Sequence, residues 1–252
     1  MRIAILGAGR IGKSLGTALR ASGHGIVYGV RQPEVSGDRV TKTVGGAIDG
    51  AEIVIVATPW TAAEALVCEH APALAGKIVI DATNPLNASG TRLALGFDTS
   101  GVELLQSDAR GATFFKAFNV AGVGAIAKPS YPQGAAAMFV AGPKGEQKDI
   151  VLRLVADVGF EPVDVGDLRA ARLLEPWECC GFNLRKPRDV AAILRFCSRP
   201  ARRENLSPRA PATWSRPRRA KSAEAKKELR LPLRREEGNE PRRCPDRVPL
   251  AR

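Results

Sequence analysis

The stretch "IAILGAGRIGKSLG", residues 3–16, joins an apolar run to a Gly-x-Gly-x-x-Gly spacing at Gly7, Gly9 and Gly12. The spacing alone is weak evidence, because the chain has 25 glycines in 252 residues and turns use glycine often. Its context is more specific: the residues before Gly7 have the pattern of a short buried strand, and those after Gly9 repeat apolar side chains at helical spacing. A glycine triplet between a strand and a helix predicts a dinucleotide-binding turn.

Each of the three glycines has a separate role in such a turn. The first permits the sharp change of direction, the second lets backbone amides approach the pyrophosphate, and the third allows the helix to pack closely on the strand. The N-terminal amides and the positive end of the helix dipole then face the phosphates. We therefore predict that Gly7, Gly9 and Gly12 form a phosphate site, the alternative being a purely structural turn.

The end of the second predicted strand indicates which dinucleotide would bind. There the sequence is "YGVRQPE", residues 28–34, with Arg31 near the position where NAD-binding proteins place Asp or Glu. A guanidinium group suits a 2′-phosphate, whereas a carboxylate would repel it. Arg31 therefore favours NADP over NAD, unless it is only an exposed cation at the end of a strand.

Strand and helix patterns alternate through the first 177 residues. Helical patterns cover residues 60–75, interrupted by Pro72, and residues 145–158. Such alternation implies crossover connections and hence a mainly parallel sheet with helices on both faces. We predict an α/β fold of the Rossmann type, doubly wound. Its predicted strands are residues 2–6, 25–30, 39–44, 52–57, 77–81, 113–117, 136–141 and 162–165.

Charge divides the chain into two parts. The net charge of +12 lies entirely in residues 178–252, which hold 21 Lys and Arg against 9 Asp and Glu. Nine of the 18 prolines and four of the five cysteines also follow residue 177, whereas 23 of the 25 glycines precede it. These shifts predict a folded domain over residues 1–177. Residues 178–252 are predicted to be a basic tail, rich in Pro and Arg, that is disordered or translated out of frame.

The composition also argues against several classes of protein. No apolar run approaches the roughly 20 residues of a membrane helix, and Arg10 interrupts a run that could start a signal peptide, so we expect a cytoplasmic protein without a membrane partner. Cys68 stands alone, the later cysteines lack a Cys-x-x-Cys spacing, and only His24 and His70 are present. We therefore expect neither a disulfide framework nor a metal site. Few aromatic residues in the tail argue against a nucleic-acid partner.

Seven segments, taken in order, resemble the NADP-binding domain of coenzyme F420-dependent NADP oxidoreductases. This family is related to the NADPH domains of metalloreductases and to pyrroline-5-carboxylate reductases. The resemblance covers roughly residues 1–177 and is far more specific than the glycine motif alone. The segments are "MRIAILGAGRIGKSLG", "GHGIVYGVR", "IVIVATPW", "IVIDATNPL", "FFKAFN", "AMFVAGP" and "VGDLRAARLLEP".

The resemblance implies roles for individual residues along the cofactor. They are Gly9, Arg10, Ile11 and Gly12 at the pyrophosphate, Val30 and Arg31 at the 2′-phosphate, Thr58, Pro59 and Trp60 along the path to the nicotinamide, and Asn84 and Asn119 near that ring. Two residues depart from the family pattern. Val30 stands where a hydroxyl residue is common, which removes one phosphate hydrogen bond, and Arg10 replaces a smaller polar residue.

The implied activity is hydride transfer between NADP(H) and a small-molecule acceptor, with a deazaflavin such as F420 or a flavin as candidates. Such a transfer needs orientation and exclusion of water rather than an obligatory acid or base, so no catalytic residue is assigned. In this family the segment after "LEP" helps to form the acceptor pocket and often the dimer contact, but here it leads into the basic tail. An alternative is a module that binds or senses NADP(H) without turnover. A homodimer is the assembly that the resemblance allows.

Four residues have simpler interpretations that stay open at this point. Trp60 could serve only to cover the sheet edge, and Asn84, which precedes a proline, could form only an Asx turn. Lys116 could be a solvated charge at the end of a strand. His24, in a loop, is expected to be structural or exposed rather than catalytic.

Overall fold

The structure is a computed structural model that describes residues 1–33, 40–87, 89, 92–96, 98–132 and 134–183. Its central sheet has six parallel strands in the order β3-β2-β1-β4-β5-β6. This is the strand order of a doubly wound Rossmann-type sheet, so the predicted fold class is confirmed. The strands are β1 (Arg2–Leu6), β2 (Gly25–Gly29), β3 (Val40–Lys42), β4 (Ile53–Val56), β5 (Ile78–Asp81) and β6 (Thr113–Lys116).

Helices cover both faces of this sheet. The predicted helix over residues 60–75 divides into two, as expected, with the break at His70 and Pro72 in the first turn of the second helix. Four helices were not predicted from the sequence: three of five to eight residues and one of 13 residues at the end of the described chain. The described helices are α1 (Arg10–Ala21), α2 (Val44–Ile48), α3 (Trp60–Glu69), α4 (Ala71–Leu74), α5 (Gly101–Asp108), α6 (Val123–Ala127), α7 (Glu146–Val158) and α8 (Ala171–Asn183), with a 3-10 turn at Leu168–Ala170.

Alternate residues of each strand enter two separate apolar layers. In β1, Ile3 and Ile5 belong to a layer that includes residues of α1 and α7. The residues between and after them, Ala4 and Leu6, belong to a second layer formed with α2 to α5. Both layers are almost fully buried. This two-sided burial explains the nearly continuous apolar sequences of the central strands.

The last two predicted strands do not extend the parallel sheet. They are β9 (Ala137–Val140) and β10 (Glu161–Asp164), which form a parallel pair of their own. This pair meets β6 through one antiparallel bridge between Lys116 and Ala141. The connection from β6 contains the five-residue α6 and a hairpin of β7 (Ser130–Tyr131) and β8 (Gly134–Ala135). A parallel neighbour usually needs a helical crossover that packs on the sheet, and this connection has none of that length.

The end of the predicted domain lies inside a helix. The boundary placed after residue 177 falls within α8, which continues to Asn183. The remainder of the predicted tail lies outside the described residues. One expectation about cysteine was wrong, since Cys68 is disulfide-bonded. In the part of the chain that the structure describes, none of the helices has the length and apolar character to cross a membrane.

Candidate functional site

A cleft of about 840 Å³ opens at the carboxyl ends of β1, β2 and β4. The strand order reverses on either side of β1, and open α/β sheets bind ligands at such a switch point. The turns after the three strands supply most of the lining, and α2 and α3 supply the rest. Of the predicted site residues, those that line the cleft are Gly7, Gly9, Val30, Arg31, Thr58 and Pro59.

Two of the three motif glycines are required by the backbone. Gly7 has a φ of +107°, and a side chain there would also place its Cβ 2.7 Å from the carbonyl oxygen of Ala57. Gly12 lies in the first turns of α1, and a Cβ there would lie 2.1 Å from the carbonyl oxygen of Gly7. The absence of side chains at Gly7 and Gly12 therefore allows the sharp turn after β1 and the close approach of α1 to that turn. They agree with the separate roles predicted for the first and third glycines.

Gly9 differs because nothing surrounds its missing side chain. No atom of the protein lies within 4 Å of a Cβ placed there, although Gly9 borders the cleft. It is the N-cap of α1, with no side-chain hydrogen bond to the helix and no acidic residue in the first turn. Backbone N–H groups at the start of a helix have no partner within the helix. The start of α1, including Arg10 and Ile11, therefore offers N–H donors and a positive dipole end to an anion.

The β2 side of the cleft carries a positive charge. Arg31 is exposed, lines the cleft and follows the last residue of β2 by two positions. The described lining residues include no Asp or Glu, and Arg31 is the charged residue among them. Val30, beside it, is held by its backbone N–H, which donates to the carbonyl of Lys42 at 2.9 Å. This side of the cleft is thus suited to a phosphate group rather than to a neutral ribose.

The β4 side contains a polar atom without a partner. Within the described residues the Oγ1 of Thr58 is buried and makes no hydrogen bond. Pro59 is exposed beside it and leads into α3. Trp60 does not line the cleft, since its ring lies against Gly101, where a Cβ would be 2.9 Å from Cζ3 of the indole. The placement of Trp60 thus favours the simpler interpretation, a cover on the sheet.

Asn84 and Asn119 form a reciprocal pair beyond β5 and β6, outside the cleft lining. The Asn84 amide donates to the carbonyl oxygen of Asn119 at 2.9 Å, and the Asn119 amide donates to Oδ1 of Asn84 at 2.9 Å. The Asn119 amide also donates to the carbonyl of Leu174 in α8 at 3.1 Å. We call Asn84 and Asn119 the amide pair. It connects two neighbouring strand ends and α8.

A buried ion cluster of Lys116, Asp81 and Glu175 lies beside the amide pair, and the sequence analysis did not predict it. The Nζ of Lys116 donates to Asp81 Oδ2 at 2.8 Å and to Glu175 Oε1 at 2.7 Å. It also donates to the carbonyl of Thr83 at 2.6 Å. The side chains are 0 to 2% exposed, so the interpretation of Lys116 as a solvated charge was wrong.

The charges of this buried ion cluster stabilise one another in their ionised forms. Burial alone would lower the pKa of Lys116, but the carboxylates of Asp81 and Glu175 outweigh it and raise that pKa above its usual value. Lys116 is therefore cationic. Glu175 has further partners, because it accepts from the backbone N–H groups of Gly101 at 2.9 Å and Val102 at 3.3 Å. Those groups begin α5, so the helix start helps to stabilise the second carboxylate.

The sequence contained a signal for this cluster. A lysine at the end of the apolar run "TFFK" and an aspartate at the end of "IVID" occupy equivalent positions in neighbouring strands. Buried strand ends with opposite charges are expected to pair. Glu175 gave no comparable signal, because it lies 59 residues after Lys116 and its partner depends on where α8 packs. His24 lies at the opposite end of the sheet and pairs with Asp157 at 2.9 Å, which fits its expected structural role.

Comparison with known proteins agrees with this architecture. Residues 2–85 match the family described as NADP oxidoreductase, coenzyme F420-dependent. The metalloreductase STEAP3 of Rattus norvegicus is 31% identical over 180 residues, which are 69% of this chain and 36% of the relative. This chain therefore spans about a third of the length of that curated relative.

Solved structures of similar fold match nearly three quarters of this chain. A protein of Arthrobacter sp. FB24, described as an F420-dependent NADP reductase, is 27% identical with a TM-score of 0.66. That match covers 73% of this chain and 93% of the other. A reductive aminase of Aspergillus terreus, in a complex with NADPH, is 21% identical with a TM-score of 0.56 over 72% of this chain and 61% of the other. This second likeness concerns the fold alone. Residues 2–85, a third of the chain, are thus similar to the coenzyme F420-dependent NADP oxidoreductases.

Proposed function

We propose that this protein is an oxidoreductase that uses NADP(H) as a hydride donor or acceptor. The observation that carries the proposal is the cleft at the carboxyl ends of β1, β2 and β4. It combines an open Gly9, the uncapped start of α1, an unpaired Thr58 hydroxyl and the cationic Arg31. Each of these features matches one part of a phosphorylated dinucleotide.

Different residues would hold different parts of the cofactor. The start of α1 and the open space at Gly9 would hold the pyrophosphate, and Arg31 would pair with the 2′-phosphate. Val30 contributes only its backbone and an apolar side chain, so Arg31 carries most of the preference for NADP over NAD. When bound, NADP(H) supplies the hydride chemistry. The protein's own residues bind and orient the dinucleotide and exclude water from it.

The acceptor is proposed to be a deazaflavin of the F420 type, with a flavin as the next candidate. The family match supports the first, because its description names coenzyme F420. A ferric chelate is worth including in the assay, since the similar STEAP3 is named a metalloreductase. No catalytic acid or base is assigned, in keeping with a reaction that depends on orientation.

Cofactor choice is tested by measuring binding of NADPH and NADH to the full chain by calorimetry. We expect NADPH to bind more tightly, and Arg31→Ala to weaken NADPH about tenfold to a hundredfold, which is about 1.5–3 kcal/mol for a hydrogen bond to a charged group. The affinity for NADH should change little. Arg153→Ala is a matched control, because it removes an exposed cation of α7 that does not line the cleft. Equal affinities for the two dinucleotides in the wild-type protein would refute the role of Arg31.

Turnover is tested separately, by following NADPH oxidation with F420, a flavin or a ferric chelate as acceptor. Hydride transfer to one of them would support the enzyme. Tight NADPH binding without oxidation by any acceptor would support the alternative function, a module that binds or senses the dinucleotide. This alternative is kept because the cleft accounts for binding of the dinucleotide, whereas no residue of the cleft is assigned to a chemical step.

A further inference from the structure

The edge of the cleft beside Arg31 carries a second cation, Lys42, which is the last residue of β3. In the parallel pairing of β2 and β3, Lys42 lies opposite Gly29, and its carbonyl accepts from the backbone N–H of Val30 at 2.9 Å. Gly29 and Val30 both line the cleft, and so does Val44, two residues after Lys42. Lining residues thus lie on both sides of Lys42, which places it at the rim of the cleft.

The side chain of Lys42 is available to a ligand. Lys42 is exposed, and among the described residues its side chain makes no ion pair or hydrogen bond. Its apolar stem follows α2, since a Cβ placed on Gly46 would lie 3.7 Å from Cβ and 3.8 Å from Cδ of Lys42. Long basic side chains commonly pack their stems in this way and extend the charged group into solvent. The ammonium group is therefore accessible at the cleft rim.

Arg31 by itself leaves part of a 2′-phosphate unmatched. A phosphate monoester carries a charge of about −1.5 to −2 at neutral pH and has three acceptor oxygens. One guanidinium group supplies a single positive charge and binds two oxygens side by side. Val30, beside Arg31, has no side-chain donor. The third oxygen and the remaining negative charge therefore need a donor from another element.

The charge balance at this edge also favours an anion. Arg31, like Lys42, makes no side-chain ion pair or hydrogen bond within the part of the chain that the structure describes. The described lining of the cleft contains no Asp or Glu. Two cations at the ends of neighbouring strands repel one another, and an anion bound between them relieves that repulsion.

We propose that Lys42 is a specificity-determining residue that binds the 2′-phosphate of NADP(H) together with Arg31. This inference rests on the proposed function. A lysine ammonium group is a compact charge with three rotatable donors, whereas a guanidinium group presents its donors in a fixed plane. Arg31 would thus orient the phosphate, and Lys42 would bind its third oxygen and neutralise the remaining charge.

The test compares NADPH with NADH, which differ in the 2′-phosphate alone. Both dinucleotides are titrated by calorimetry against the full chain, as wild type and as each variant. The ratio of the two affinities isolates the 2′-phosphate, because general damage to the cleft weakens both ligands together.

Lys42→Met keeps an unbranched apolar stem beside Gly46 and removes the ammonium group. We expect NADPH affinity to fall about threefold to tenfold, less than a buried contact would lose, because the lysine is exposed. NADH affinity should stay within about twofold, and the Tm of the free protein should not change. Lys42→Arg keeps the charge, so it should retain most of the preference for NADPH.

Lys128→Met is the matched control. Lys128 is also exposed and follows a strand-linking helix, α6, but it does not line the cleft. The neighbouring Pro129 lies against Gly159, the residue that ends α7. Loss of the charge at Lys128 should therefore leave both affinities and their ratio unchanged.

The outcomes separate this inference from the proposed function. If wild-type protein binds neither dinucleotide, the proposed function fails. If wild type prefers NADPH and Arg31→Ala removes that preference, but Lys42→Met leaves the ratio of affinities unchanged, the cofactor site stands and the role of Lys42 is overturned. An equal loss for both ligands in Lys42→Met, or a loss of preference in Lys42→Arg as large as in Lys42→Met, would overturn it as well.

Discussion

Replacing Gly9 with valine separates a phosphate site from a simple turn. A Cβ at Gly9 meets no protein atom within 4 Å, and its φ of −72° is ordinary for any residue. The expected cost to folding is the poorer N-cap, about 1 kcal/mol. This is small against the roughly 5–15 kcal/mol by which domains are stable. The open space that protects the fold is the space that the pyrophosphate would need, so NADPH affinity should fall more than a hundredfold.

Gly12→Ala is the informative contrast in the same helix. Its Cβ would lie 2.1 Å from the backbone of Gly7, so α1 must move away from β1. Overpacking of this kind costs about 1–3 kcal/mol, and here the obstacle is backbone that cannot rotate aside. We expect Gly12→Ala to lower stability clearly, and Gly9→Val to leave it nearly unchanged.

The assay pairs urea unfolding with calorimetric titration of NADPH for wild type and both variants. For Gly9→Val we expect an unfolding midpoint close to wild type together with no measurable binding of NADPH. Normal NADPH binding by Gly9→Val would mean that the glycine pattern is only a turn. A large loss of stability in Gly9→Val would mean that the space beside Gly9 is needed by the protein itself.

Lys116→Met should lower the free energy of unfolding by about 3–5 kcal/mol, because the buried carboxylates of Asp81 and Glu175 lose their cation. Urea unfolding would measure this loss. Hydrogen bonds from Arg172 and Ser100 outweigh burial and lower the pKa of Glu103. The ion pair of Glu103 and Arg172 therefore stabilises the protein at pH values above the usual glutamate pKa of 4.5, and this stabilisation is lost as the pH falls below that value. Arg172→Ala should make the stability less sensitive to acid, which unfolding measurements at a series of pH values would test. A chain that ends at Asn183 should bind NADPH with an affinity within about twofold of wild type, since no described residue after Leu66 lines the cleft. A larger loss would mean that residues after Asn183 take part in binding.

The phosphate half of the site could be predicted because it is local in sequence. The first strand, the glycine turn and α1 occupy 20 consecutive residues. Their conformations follow from apolar periodicity and from the absence of side chains at Gly7 and Gly12. Arg31 is equally local, since it lies two residues after a strand whose end the pattern located within one residue. In both cases backbone geometry decides the site, and short-range patterns report backbone geometry well.

The other half could not be predicted because side chains from distant segments build it. Lys116 meets Asp81 and Glu175 across separations of 35 and 59 residues. The amide pair was named from the resemblance, but its reciprocal hydrogen bonds depend on how β5, β6 and α8 come together. The separate β9–β10 pair has the same origin, because strand patterns do not reveal which edge a strand joins.

The cleft and the ends of β5 and β6 differ in how they could influence the choice of acceptor. A cleft made from backbone and one arginine can hold the phosphates and adenosine in the same way for any second substrate. The fold alone does not determine which reaction is catalysed. The amide pair and the ion cluster, by contrast, connect the end of β5 and β6 to α8, the last described element of the chain. A change in α8 can therefore reach the ends of β5 and β6 through Glu175 and the Leu174 carbonyl while the cleft after β1, β2 and β4 stays intact. Substitutions that alter acceptor preference should accordingly concentrate in α8 and the β5 and β6 ends, and those that alter the choice between NADP and NAD should concentrate at the end of β2.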